Sequence, residues 1–106
     1  SFVLAYSEDS FLLFKKNRNS FWESLWIPYD KDSHNESNLF KQPIKRKKIN
    51  FNHLLSHLEL EITVEKYEYK RPFEIKTNLE HKWINKDRIH NYGLPKPIKT
   101  IIENHG

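Results

Sequence analysis

The stretch that most restricts how this chain can fold runs from Lys48 to Tyr69. Within it Leu58, Leu60, Ile62 and Val64 are apolar, while Glu59, Glu61, Thr63 and Glu65 are polar. Period two over eight residues marks a strand with one buried face and one wet face. Upstream, Ile49 and Phe51 are apolar among the polar Lys48, Asn50 and Asn52. The first segment buries odd positions and the second buries even ones. A straight strand cannot change parity, because a slip of one residue sends every side chain to the other face. The pattern therefore predicts a bulge or loop between Asn52 and Leu58. His53-Leu54-Leu55-Ser56-His57 sits there, and the loop is expected to present His53, Ser56 and His57 to a partner.

A chain of 106 residues makes one small domain, spanning 1–106, with a modest core. Hydrophobic residues are 37% of it, and three Trp, five Tyr and seven Phe supply bulk, which argues for a folded chain. No apolar run reaches membrane-spanning length and no signal-peptide pattern opens the sequence. Cysteine is absent, which excludes disulfides, Cys-ligated zinc and an iron–sulfur cluster within these residues. A cytosolic setting fits that absence. The net charge of +4 is compatible with nucleic acid without requiring it. Lys45-Arg46-Lys47-Lys48 is the densest basic run. It reads equally as a lysine-guarded strand edge or as a set of phosphate contacts. With glycine only at Gly93 and Gly106, tight turns must use Asn, Asp and Ser.

Phe2–Tyr6 and Phe11–Lys15 read as strands joined by a turn at Ser7-Glu8-Asp9-Ser10. Trp22 and Trp26 are expected in the core or at its rim. Ser33-His34-Asn35-Glu36 fits a capping box, with Leu39 and Phe40 on the buried side of a short helix that Pro43 stops. After the central pair of strands, Phe73–Ile75 offers a further short strand. His81–Ile84 alternates and predicts a strand with Trp83 buried. Lys86–His90 suits a helical turn. Pro97 suits the first turn of a last helix, on which Ile98, Ile101 and Ile102 share one face. The predicted class is α+β: a mixed or antiparallel sheet packed against one or two helices, one of them C-terminal.

His53 and His57 have the spacing of helical zinc ligands, but their surroundings are β. Four residues along a strand span about 13 Å, too far to share one ion, and no third ligand accompanies them. No metal site is expected. No Gly-x-Ser-x-Gly elbow accompanies Ser56 and His57, and two isolated glycines cannot build a phosphate-cradling loop. No catalytic residue is assigned. A binding module remains, since a hydroxyl donates and accepts hydrogen bonds and imidazole reaches phosphate.

Several pieces, in order, resemble the C-terminal domain of the MutY family of adenine DNA glycosylases, which remove adenine mispaired with 8-oxoguanine. They are the paired-strand start at Phe2–Lys16, the Trp22–Trp26 segment, and the His53-Leu54-Leu55-Ser56-His57 run with its alternating strand. His81-Lys82-Trp83-Ile84 and Gly93-Leu94-Pro95-Lys96-Pro97-Ile98 follow. The resemblance implies a Nudix-like fold without Nudix chemistry; no Gly-led acidic box is present in the sequence. It also implies that Ser56 reads 8-oxoguanine, with His53, Leu55 and His57 beside it and Lys45, Arg46, Lys47 and Lys48 as candidate phosphate contacts. Leu55 stands where the family usually has Phe. The family's catalytic carboxylates and 4Fe-4S cluster lie in a separate N-terminal domain, so this chain is expected to be inactive alone and to carry no cofactor. The implied partners are double-stranded DNA with an 8-oxoguanine:adenine mispair and that N-terminal domain. A monomer in a bacterial cytoplasm, with no membrane contact, is expected. A Nudix-type nucleotide pyrophosphohydrolase and a protein-interaction module are the alternatives.

Overall fold

A computed structural model describes residues 1–16, 25–34, 39–55 and 58–105, with Phe51 and Leu55 described by their main chain alone. Phe2-Val3-Leu4-Ala5 and Phe11-Leu12-Leu13-Phe14 are unbroken apolar runs, and such runs form strands buried on both faces. They are the two central strands, β1 (Phe2–Ser7) and β2 (Ser10–Lys15). Every one of those eight residues is buried. The turn between β1 and β2 puts Glu8 at φ 54°, a conformation that favours glycine.

β1 and β2 pair only beside their turn, at Tyr6↔Phe11 and Ser7↔Ser10. Farther out they diverge, and Trp26–Asp30 fills the gap. β3 (Trp26–Ile27) pairs with β2, and β4 (Tyr29–Asp30) pairs with β1. Pro28, fully buried, sits at the crossing from one to the other. Proline suits that place because it has no N–H to leave unpaired.

The long strands β5 (Lys45–Leu55) and β6 (Leu58–Glu68) form an antiparallel hairpin. β6 joins β1 in parallel from Phe2↔Val64 to Tyr6↔Glu68. β7 (His81–Asn85) closes the far edge against β2. The sheet is thus mixed, and β5 ends its strand order β3-β2-β1-β6-β5. A 3-10 helix (Lys86–Asn91) leads to α1 (Lys96–Glu103). The α+β class with a C-terminal helix is the observed one.

The sheet separates two apolar clusters. On one face Phe2, Leu4, Phe11 and Leu13 pack with Ile62, Val64 and Ile84 and with Ile98 and Ile102 of α1. On the other, Val3, Ala5, Leu12 and Phe14 pack with Tyr29, Leu39, Tyr69 and Ile75. His105 pins the chain after α1. Its Nδ1 accepts from Lys66 Nζ at 2.9 Å and its Nε2 donates to the Glu8 carbonyl at 3.0 Å. Both contacts suit the neutral ring, and burial together with the Lys66 charge lowers its pKa.

The predicted interruption in the central pair is narrower and later than expected. β5 continues through His53, Leu54 and Leu55, and the ladder is regular from Lys45↔Glu68 to Leu55↔Leu58. Only Ser56 and His57 intervene, and both lie outside the described residues. The parity change has a simple cause. Antiparallel pairing sets Ile49 opposite Val64 and Phe51 opposite Ile62, so odd positions of one strand share a face with even positions of the other. A two-residue connection suffices, and no bulge is needed.

Other expectations divide. Phe73–Ile75 is not a strand, although Ile75 is buried; its main chain lies off the sheet and the Phe73 carbonyl accepts from Trp83 Nε1 at 2.8 Å. Trp83 is half-buried, and its neighbour Ile84 takes the fully buried place. Leu39 and Phe40 pack against the second cluster from irregular backbone. Trp22, and residues 35–38 of the predicted helix, lie outside the described residues. Trp26 is buried, its ring edge-on to Tyr92 at 5.5 Å.

Candidate nucleic-acid interface

β6 has β1 as a neighbour only from Val64 onward. Among the described residues, Asn50–Leu55 and Leu58–Thr63 pair only with each other. They form a two-stranded ribbon about 20 Å long at the usual rise per residue. A free hairpin of this kind is marginal in water. This one is held at its base by the sheet and along one face by α1. Ile62 is buried and Leu60 partly so against the helix-side cluster.

Register assigns the ribbon's two faces. His53, Leu58, Leu60 and Ile62 share the face toward α1; Asn50, Asn52, Leu54, Glu59, Glu61 and Thr63 share the other. Thr63 Oγ1 donates to Asn50 Oδ1 at 2.8 Å across that second face. His53 is half-buried at a groove of about 550 Å³ between ribbon and helix, whose wall includes Lys96, Pro97, Thr100 and Ile101. Leu54 is 73% exposed and Leu58 47%, so two large apolar side chains at this end of the ribbon are in contact with water. Sequence reasoning gave Leu54 no role; its alternation with His53 and Leu55 is the signal that places it on the other face.

The basic run does not form one patch. Lys45 and Lys47 lie on the helix-side face, Arg46 and Lys48 on the opposite one. The second pair has different neighbours. Arg46 stacks over Tyr67, 4.9 Å from its ring centre, and Lys48 lies opposite Glu65. On the helix side Lys47 lies directly opposite Lys66, and among the described residues neither joins an ion pair. Burial, with the facing Lys47 charge, lowers the Lys66 pKa. The Lys66 ammonium is held by His105 Nδ1 at 2.9 Å and over the Tyr6 ring, 5.1 Å from its centre, so Lys47 is the more exposed of the two cations. Lys66 was missed from sequence because it stands alone among acidic and aromatic residues. Only the register brings it to Lys47.

The structure thus brings His53 and Leu54 to the tip of the ribbon and separates them from the lysines by most of its length. Leu55 is placed there by its main chain, paired with Leu58; Ser56 and His57 are bounded by that pair. Among the described residues no group of three His, Asp or Glu side chains could hold a metal ion, and the chain has no cysteine. No described helix is long and apolar enough to cross a membrane. Comparison with curated proteins returns no match. A family model described as a NUDIX domain matches residues 1–104.

Proposed function

The chain belongs to the NUDIX domain family, and from that premise we propose that it is a lesion-reading, non-catalytic domain of an adenine DNA glycosylase. It would bind duplex DNA holding an 8-oxoguanine:adenine mispair, as a monomer joined to a separate N-terminal catalytic domain that carries the iron–sulfur cluster. What supports this most is the β5–β6 ribbon, whose described end carries His53 and the main chain of Leu55, the residues that in the sequence lead into Ser56 and His57 of the MutY resemblance. The chemistry is suited to the task. Guanine has an acceptor at N7; 8-oxoguanine has a donor there, and a serine oxygen can accept from it.

A NUDIX domain fits a hydrolase superfamily, and pyrophosphohydrolase activity is the second reading. Its metal would need a Gly-led acidic box. The only glycines are Gly93 and Gly106, and the described residues hold no fitting donor group. The described residues do not fit the metal, and no hydrolytic step is derived. Turnover of oxidised nucleoside triphosphates with magnesium would restore this reading.

The first test joins the chain to its catalytic half and changes Ser56→Ala with His57→Ala. One hydrogen bond is worth about 1 kcal/mol, so preference for 8-oxoguanine over guanine opposite adenine should fall about fivefold or more. An unchanged ratio removes the tip from recognition.

The lysines should act differently. Removing phosphate contacts weakens binding to every duplex and flattens its salt dependence by about 0.9 per contact in a log–log plot. If the duplex lies along the helix-side face, Lys45→Ala with Lys47→Ala should flatten the slope more than Arg46→Ala with Lys48→Ala, which lie on the opposite face. Equal slopes in the two pairs would show that the duplex does not prefer the helix-side face.

A further inference from the structure

β5 is the terminal strand of the sheet, and among the described residues nothing pairs with its outer edge. Alternate residues of an edge strand turn both their N–H and C=O outward, unpaired. Proteins blunt such edges with short strands, prolines or bulges. This edge has none of these protections. It runs eleven residues with a regular register and no proline inside it. Its one protection is charge. Lys45, Arg46, Lys47 and Lys48 are all exposed.

That charge excludes neutral and basic strands but not acidic ones. The cations alternate between the two sheet faces, Lys45 and Lys47 on one, Arg46 and Lys48 on the other. A phosphate backbone lying along one face meets half of them. A β-strand meets all four, because its own side chains alternate in step. We infer that the outer edge of β5 is a docking site for an acidic segment of another protein, added to the sheet as an extra strand. Main-chain hydrogen bonds would supply the ladder. Carboxylates on both faces would fix its place against the basic run. This site is independent of the tip and stands whether or not the tip reads DNA.

The test uses the 106-residue chain at low salt with a capped peptide, Thr-Val-Glu-Glu-Glu-Glu-Val-Thr, and the same peptide N-methylated at its four glutamates. Both carry the same charge; only the first can donate a ladder. The first should bind, shift and protect the main-chain amides of Lys45–Asn50, and bind at least about tenfold tighter than the methylated form, since several hydrogen bonds are at stake. Lys47→Glu with Lys48→Glu, one change on each face, should abolish binding while leaving the unfolding midpoint nearly unmoved. Equal affinity for both peptides would reduce the edge to a charge patch and overturn the inference. So would no binding, or protection of these amides by duplex DNA and not by the peptide.

Discussion

Phe11→Ala should cost about 3–5 kcal/mol of stability, the range for emptying a buried aromatic site. Phe11 is fully buried in β2, paired with Tyr6 on one side and Ile84 on the other. Its ring lies 5.0 Å from the His105 ring, edge to face, and 6.3 Å from that of Tyr6. The site cannot collapse easily, because paired strands hold it on both sides and the α1 cluster covers it. A small domain has about 5–15 kcal/mol in all, so this one change removes a large share. Denaturant unfolding should show a much lower midpoint with an unchanged slope. A loss under about 1 kcal/mol would mean that the helix-side cluster is not packed as described.

Lys16→Met should be the next most costly, at about 1–3 kcal/mol, the range for leaving a partly buried charged group without its partner. Lys16 Nζ donates to Asp30 Oδ2 at 2.8 Å, and both side chains are 12% exposed. The Ser33 hydroxyl donates to the same oxygen at 2.8 Å, and the Asp32 amide donates to Asp30 Oδ1 at 3.0 Å. Methionine keeps the stem of Lys16 but leaves the Asp30 carboxylate without its cation. Adding Asp30→Asn removes the orphaned charge, so the double variant should be more stable than Lys16→Met alone. The size of that coupling distinguishes a partly desolvated pair from a screened surface one.

The same pair sets a pH dependence. Burial pushes the Asp30 carboxyl up, but the hydrogen bonds from Lys16 and Ser33, with the Lys16 charge and the Asp32 amide, outweigh it and hold the pKa below its ordinary 3.8. A depressed carboxylate contributes stability that is fully present above its unfolded value and is lost as pH falls through its folded one. The wild-type chain should therefore lose stability as pH falls below about 4. In Lys16→Met that slope should flatten. An equally steep acid limb in the variant would assign it to other carboxylates.

Much of this architecture was legible because strands advertise themselves by period. The runs at Phe2–Ala5 and Phe11–Phe14 have no polar face, so they belong in the middle of the sheet. The alternation from Leu58 to Glu65 has one, so it belongs where one face is wet. Ile98 and Ile102 declared the buried side of α1, and both are fully buried. Phe73–Ile75 misled because burial alone does not make a strand; its apolar residues are covered from an irregular segment. The change of parity near Asn52 was a true signal, but it could not say whether a wide loop or a two-residue hairpin produced it.

By itself, then, the chemistry along the chain determined which segments extend, which face of each seeks the core, and where the cations cluster. Local periodicity carries that information because side chains alternate with the backbone that bears them. Which strands become neighbours was decided only by the folded molecule. Pairing between distant segments depends on register, and register is a property of two strands at once. It placed Lys66 against Lys47, divided four consecutive cations between two faces, let Trp26–Asp30 part β1 from β2, and left β5 at an open edge.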